Sequence, residues 1–147
     1  MTLPVAFWDS TALVLLCIPQ AQTSAATALY DRYGVVAWWA TQVEMLSELT
    51  RLEKMGQISR DQFLNSKRLA QDIARGWISA GSSASVAAEA CSLLELYPLR
   101  ASNALQLAVA LEACEHKPQG YVFVTADQRL AEAARRSGFA VEYLLEK

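Results

Sequence analysis

Three acidic residues that are far apart in the sequence lie at the ends of expected strands or at the start of an expected helix. Asp9 follows an apolar run at residues 5–8, and Asp127 follows a second run at 121–125. Glu44 lies in the first turn of a helix that comes after a third run. The carboxyl ends of parallel strands share one edge of a sheet, so the three carboxylates are predicted to converge there. Convergent carboxylates take up protons or bind a cation, and oxygen ligands alone favour Mg²⁺ or Mn²⁺ over zinc.

Each acidic residue also has a purely structural explanation. Asp is among the best N-cap residues, so Asp9 and Asp127 could each cap the helix that follows them. The segment from Thr41 to Glu44 has the S/T-x-x-E form of a capping box, which would account for Glu44 completely. The occurrence of all three at one predicted edge is what favours a functional role.

Strands and helices alternate along the chain, and this alternation predicts how the acidic residues are positioned. Short apolar runs rich in strand-forming residues indicate buried strands, whereas apolar residues at helical spacing indicate helices. Gly34 and Gly138 are expected to end helices. Strands are predicted at residues 5–8, 35–39, 77–78, 121–125 and 139–143, and helices at 23–33, 41–56, 59–75, 86–96, 104–115 and 128–136. The pattern predicts an α/β protein with three layers, a mostly parallel central sheet and a helical hairpin after the second strand.

Length, composition and charge limit the classes of function. The 147 residues are predicted to form a single domain, residues 1–147, and 53% of them are apolar. The formal net charge is −2, so binding to a nucleic acid would need a local basic patch. The longest uncharged apolar stretch, at 12–18, is far below the roughly 18 to 20 residues of a membrane span. We therefore expect no membrane association.

The cysteines suit a reducing compartment. Cys17, Cys91 and Cys114 are odd in number and lack the spacing of a zinc site, so they are expected to be buried, unpaired side chains. This favours a cytoplasmic location.

Four segments resemble the four acidic blocks of PIN-domain ribonucleases, and in particular those of the VapC toxin branch. They occur in the family's order over essentially the whole chain, and the two C-terminal segments are the more specific pair. The segments are VAFWDSTAL at 5–13, TQVEM at 41–45, PLRASNALQLA at 98–108 and VFVTADQRL at 122–130. The resemblance implies a PIN-like fold and a Mg²⁺- or Mn²⁺-dependent endoribonuclease that hydrolyses RNA. It also implies a homodimer that a cognate antitoxin keeps inactive.

The same resemblance assigns Asp9, Glu44 and Asp127 as metal ligands, directly or through water, with Asn103 at the fourth catalytic position. The family usually has Asp there, in a block that reads L-R-A-x-D-A-L-x-L-A. An amide oxygen can bind a hard cation, but it carries no charge, and its NH₂ group repels a metal if it is turned inward. We expect weaker metal binding and reduced activity. Asn103 could be a natural variation that still permits cleavage, the mark of a member that only binds, or a change that permits expression of a toxic nuclease.

Other residues of these blocks are expected to support the site. Ser10 and Thr125 match hydroxyl positions of the family, where they would steady carboxylates or waters, and helix capping is the equal alternative. Arg100 and Arg129 could contact phosphates of RNA, although simple solvation is favoured for Arg129. His116 lies in a turn after a helix and is not expected to be catalytic.

Two other functions remain open. Asn103 supports a catalytically impaired PIN fold that acts as a binding or regulatory module. An unrelated doubly wound domain, such as a receiver or phosphatase-like module, is disfavoured because the first strand ends in Asp9-Ser10 rather than in paired acids. Trp38 and Trp39 should point to opposite faces of a strand, and one of them is expected at an interface with a second copy or a partner.

Overall fold

Strands and helices alternate along the computed structural model, which describes residues 3–19, 22–81 and 83–144. Within these residues the strands are β1 (Val5–Trp8), β2 (Gly34–Trp38), β3 (Ile78–Ala80), β4 (Val122–Thr125) and β5 (Ala140–Tyr143). The helices are α1 (Ser10–Val14), α2 (Thr23–Arg32), α3 (Thr41–Lys54), α4 (Arg60–Gly76), α5 (Ser85–Leu96), α6 (Ala101–Ala113) and α7 (Gln128–Ser137).

The five strands form one parallel sheet in the order β3-β2-β1-β4-β5. β1 occupies the centre, where Phe7 is in register with Val36 of β2 and with Phe123 of β4. The carboxyl ends of β1, β2 and β4 therefore lie side by side at one edge. Asp9 follows β1 at this edge, as the alternating pattern predicts.

Helices cover both faces of the sheet. Successive side chains of a strand point to opposite faces, so the apolar strands place hydrophobic side chains on both of them. Ala6 and Trp8 pack into a core with α1, α2, α3 and α4, whereas Phe7 packs into a second core with α5, α6 and α7. The prediction of a three-layer α/β/α fold with a parallel central sheet is confirmed. Trp38 contacts the second core, and the side chain of Trp39 is 58% exposed.

The helical hairpin after β2 is also present. Ser59 begins α4 with a complete capping box, in which its hydroxyl accepts a hydrogen bond from the Gln62 N–H and Gln62 returns one to the Ser59 N–H. Leu52 of α3 and Phe63 of α4 lie in the same core. An ion pair of 3.1 Å between Arg60 and Glu53 closes the connection.

Several local predictions are wrong. Thr41 is the first helical residue of α3 rather than its N-cap, which is Ala40, and no side chain caps this helix. Gly34 does not end α2 in a left-handed conformation but starts β2, whereas Gly138 does end α7 with a φ of 113°. Cys91 is exposed, not buried, because it lies on the outer face of α5.

Gly81, just after β3, shows why one loop needs a glycine. Its φ is +88°, and an added Cβ would lie 2.6 Å from Val109 Cγ2 and 2.8 Å from Trp38 Cδ1. Only a residue without a side chain allows the chain to pass this close to α6. In the part of the chain that the structure describes, no helix is long and apolar enough to cross a membrane.

Candidate functional site

Asp9 is held at the carboxyl end of β1 by hydrogen bonds to both of its carboxylate oxygens. Oδ1 accepts from the Ala12 N–H at 3.1 Å, which caps α1, and from the Thr11 hydroxyl at 2.8 Å. Oδ2 accepts from the Thr125 hydroxyl at 3.0 Å. Asp9 is only 1% exposed, so its orientation is fixed by the protein.

The pKa of the Asp9 carboxyl lies far above its ordinary value. Burial raises this pKa from 3.8 to about 7, against the lowering effect of the hydrogen bonds from Thr11, Ala12 and Thr125. The negative charge of Asp127 raises it further. Asp127 therefore lies close enough to interact with Asp9 electrostatically, although 118 positions separate the two residues in the sequence.

Two threonines connect the strand ends that carry Asp9 and Asp127. The Thr125 hydroxyl donates to Asp9 and accepts from the Asp127 N–H at 3.0 Å. The Thr11 hydroxyl accepts from the Ala126 N–H at 2.9 Å. Asp127 caps α7 through Oδ1, which accepts from Leu130 N–H at 2.8 Å. Asp9 and Asp127 therefore each cap a helix, and their carboxylates also interact electrostatically at the same edge.

Glu44 faces the same edge from the first turn of α3. Its Oε1 accepts a hydrogen bond from Gln106 Nε2, and Nε2 also donates to the Thr41 hydroxyl at 3.0 Å. Burial raises the pKa of Glu44, and hydrogen bonding to Gln106, Ser102 and Ser10 opposes that increase. Because no capping box exists at Thr41, helix capping does not account for Glu44.

An open cleft of about 630 Å³ lies next to these residues, and Glu44 is the one of the three predicted carboxylates that lines it. Ser10, Thr11 and Ala126, the immediate neighbours of Asp9 and Asp127, line one side, and Glu44 with Ser47 lines the other. The cleft therefore opens to solvent beside Glu44 and beside the residues that flank Asp9 and Asp127.

The remaining predicted residues lie at different distances from this cleft. Asn103 is half-buried in the first turn of α6, between Ser102 and Gln106, which both interact with Glu44. Arg100 precedes α6 and Arg129 lies in the first turn of α7; both are exposed. His116 lies beyond the opposite end of α6, where Nε2 is 3.6 Å from Glu89 Oε1.

Two supporting residues, Thr11 and Gln106, were not predicted from the sequence. Thr11, rather than Ser10, holds Asp9, whereas Ser10 interacts with Glu44. Gln106 links Glu44 to Thr41, and its Oε1 is buried without a hydrogen-bond partner. The available signal was a glutamine in the otherwise apolar run Leu105-Gln106-Leu107 of a core helix.

The donor atoms at this edge suit a hard divalent cation. They are carboxylate and hydroxyl oxygens, and no lysine or arginine of the described ranges forms an ion pair with Asp9, Glu44 or Asp127. Among the described residues, no three His, Cys, Asp or Glu side chains form a group that could hold a metal ion, so the predicted convergence of all three carboxylates into one metal-binding group is not observed. Mg²⁺ commonly uses one or two carboxylates and keeps several waters, so the neighbouring Asp9 and Asp127 match its needs.

The parallel sheet and its two helical layers define this chain as a three-layer α/β/α protein with a PIN-like fold. The crystal structure of FitAcB from Neisseria gonorrhoeae is similar, with a TM-score of 0.63 over 93% of this chain and 96% of that chain. The sequence identity is 18%, so the likeness is one of fold. No protein-family model and no curated protein matches the sequence.

Proposed function

We propose that this protein is a VapC-like toxin that hydrolyses phosphodiester bonds of RNA with the help of Mg²⁺ or Mn²⁺. The observation that carries the proposal is the electrostatic interaction of Asp9 with Asp127 at the edge of the sheet, next to an open cleft that Glu44 lines. The shared fold and the four acidic blocks support the same conclusion.

Asp9, Glu44 and Asp127 would hold the cation, directly or through water. A bound divalent cation supplies an activated water and neutralises the charge that develops on the phosphate. The protein's own part is to fix the ligands: Thr11 and Thr125 orient Asp9, and Gln106 orients Glu44. Such orienting hydrogen bonds commonly change metal affinity and activity strongly.

Asn103 is the residue that lowers the proposed activity. It lies beside the residues that contact Glu44, yet it brings an uncharged amide to a position where the resembling family has a carboxylate. With less negative charge at the edge, cation binding is weaker. This observation also favours the second candidate function, a PIN fold that binds RNA or a protein partner without cutting.

The partners follow from the VapC-like assignment. A cognate antitoxin covers the protein and keeps it inactive in the cytoplasm, and two copies form a homodimer. The exposed Trp39 ring, which packs edge-on against Trp38 with ring centroids 6.1 Å apart, offers an apolar surface for such a contact. Size-exclusion chromatography with light scattering tests the dimer, and Trp39→Ser is expected to weaken it.

Metal-dependent RNA cleavage by the chain and by Asn103→Asp tests the proposed function. We expect slow cleavage of single-stranded RNA with Mn²⁺, none with EDTA, and a rate about tenfold or more higher for Asn103→Asp, because a fourth carboxylate strengthens metal binding. Asn65→Asp, which adds the same charge on the exposed side of α4, is the matched control and should leave the rate unchanged.

The outcomes separate the two candidates. Cleavage by both the chain and Asn103→Asp supports the nuclease. Cleavage by Asn103→Asp alone identifies this chain as the impaired binding form. If neither cuts RNA with Mn²⁺, the nuclease assignment is wrong.

A further inference from the structure

The outer surface of α7 carries a local excess of positive charge in a protein whose net charge is −2. Arg129, Arg135 and Arg136 are all exposed, and Glu132 is the one acidic residue of this helix. Arg135 and Arg136 share Glu132, at 3.8 and 3.0 Å respectively, and Arg129 forms no ion pair with any described residue. Two positive charges of α7 are therefore not compensated by its glutamate.

This charge lines a cleft of about 400 Å³ between α7 and the segment that precedes α6. Arg129, Glu132 and Arg136 form one wall, and Tyr97 with Pro98 forms the other. Because α7 begins directly after Asp127, the end of the cleft lined by Arg129 is the one nearer the acidic edge, and Arg136 lies two turns further along the helix.

Arg129 and Arg136 are seven positions apart, which places them on one face of the helix, about 10 Å apart along its axis. That spacing allows each guanidinium group to contact a different phosphate of one extended strand. Arginine binds phosphate through paired hydrogen bonds, and a half-buried aromatic ring such as that of Tyr97 can stack on a base.

We propose that the cleft between Tyr97 and α7 binds the RNA strand next to the bond that is cut, with Arg129 and Arg136 contacting successive parts of its backbone. The inference rests on the proposed function for the identity of the ligand as RNA. The charge of the cleft favours a polyanion over an apolar protein segment. Glu132 weakens RNA binding because it forms ion pairs with Arg135 and Arg136.

Binding of a fluorescein-labelled, unstructured RNA tests this proposal without any cleavage, if fluorescence anisotropy is followed in EDTA at several salt concentrations. For Arg136→Gln we expect affinity to fall about threefold or more, and the slope of log K against log salt to become smaller by about 0.7, the value for one lost contact with a single strand. Glu132→Gln should do the opposite and tighten binding, because it releases two arginines.

Matched controls come from the ion pair between Asp72 and Arg75 on α4, which packs on the other face of the sheet. Arg75→Gln and Asp72→Asn make the same changes of charge there and should leave affinity and salt slope unchanged. The proposal is overturned if Arg136→Gln and Glu132→Gln behave like these controls. It is also overturned if they alter binding of poly-glutamate but not of RNA.

The test is independent of catalysis. If RNA cleavage with Mn²⁺ is absent while Arg136→Gln and Glu132→Gln shift RNA binding in opposite directions, the proposed nuclease activity fails and the binding cleft stands.

Discussion

Asp9 has two roles within the protein: it caps α1, and it is a carboxylate buried beside a second carboxylate. An N-cap stabilises a helix by about 1 kcal/mol, but a buried acid without a positively charged partner has a cost. The rise of the Asp9 pKa to about 7 expresses that cost. A carboxyl that is held so firmly in an unfavourable environment favours a functional role over capping alone.

The raised pKa predicts how stability depends on pH in the absence of metal. Unfolded Asp9 loses its proton near its ordinary pKa of 3.8, whereas folded Asp9 keeps its proton until about pH 7. The folded state thus binds more protons in this window, so the contribution of Asp9 to stability decreases as pH rises from about 4 to 7, by an amount on the order of 4 kcal/mol. Urea unfolding in EDTA across this range measures it.

Asp9→Asn provides the comparison, because asparagine still caps α1 but does not titrate. We expect this variant to gain stability relative to the wild-type chain as pH rises. Asp72→Asn, which replaces an exposed carboxylate, should follow the wild-type chain. If the free energy of unfolding changes with pH in the same way for Asp9→Asn and the wild-type chain, the pKa of Asp9 in the folded state is not raised.

At the scale of elements, the site depends on how α3 and α6 meet. Gln106 bridges them by donating to both Glu44 and Thr41, and its own carbonyl oxygen stays unpartnered. Thr41 is free for this contact because Ala40 is the N-cap of α3. A tertiary contact thus replaces the local capping box that the sequence motif predicts.

Substitutions of Gln106 test this bridge. Gln106→Glu puts a second carboxylate against Glu44 and should cost about 3 kcal/mol or more at pH 7, because the added charge is buried and unpaired. Gln106→Leu loses both hydrogen bonds but also removes the unpartnered oxygen, and should cost less, about 1 to 2 kcal/mol. Urea unfolding at pH 7 and pH 4.5 should show the difference shrinking as the carboxyls gain protons. Equal stability of the two variants at pH 7 would contradict the contact between Gln106 and Glu44.

The loop after β3 is the second element that can be tested. Gly81→Ala should cost about 2 kcal/mol or more, since the new Cβ would meet Val109 and Trp38 and the backbone has a positive φ. Gly56→Ala is the matched control, with a φ of +74° and nothing within 4 Å of the added Cβ. Thermal unfolding of both variants separates steric conflict from backbone strain. If both variants lose the same stability, an added Cβ at Gly81 meets no steric conflict.

At the scale of the whole molecule, the sequence predicts the architecture more completely than it predicts the side-chain contacts of the site. Alternating strands and helices predict the parallel sheet and the shared edge, because both follow from local periodicity and from the connection rules of α/β proteins. Thr125 at Asp9 and Ser10 at Glu44 match the family's hydroxyl positions, whereas Thr11 and Gln106 were not predicted as partners, because helical and strand periodicity do not show which polar side chain will contact a carboxylate. The basic surface of α7 also emerges only when Arg129 and Arg136 are placed on one face.

The central claim is that Asp9, Glu44 and Asp127 gather at one edge of the sheet to hold a divalent cation. Crystals soaked in Mn²⁺ and measured for anomalous scattering test it most directly. We predict a manganese peak within coordinating distance of Asp9 and Asp127, on the side that faces Glu44, and its loss in Asp9→Asn crystals. A saturated crystal with no peak at this edge, or with manganese bound only elsewhere, would contradict the account.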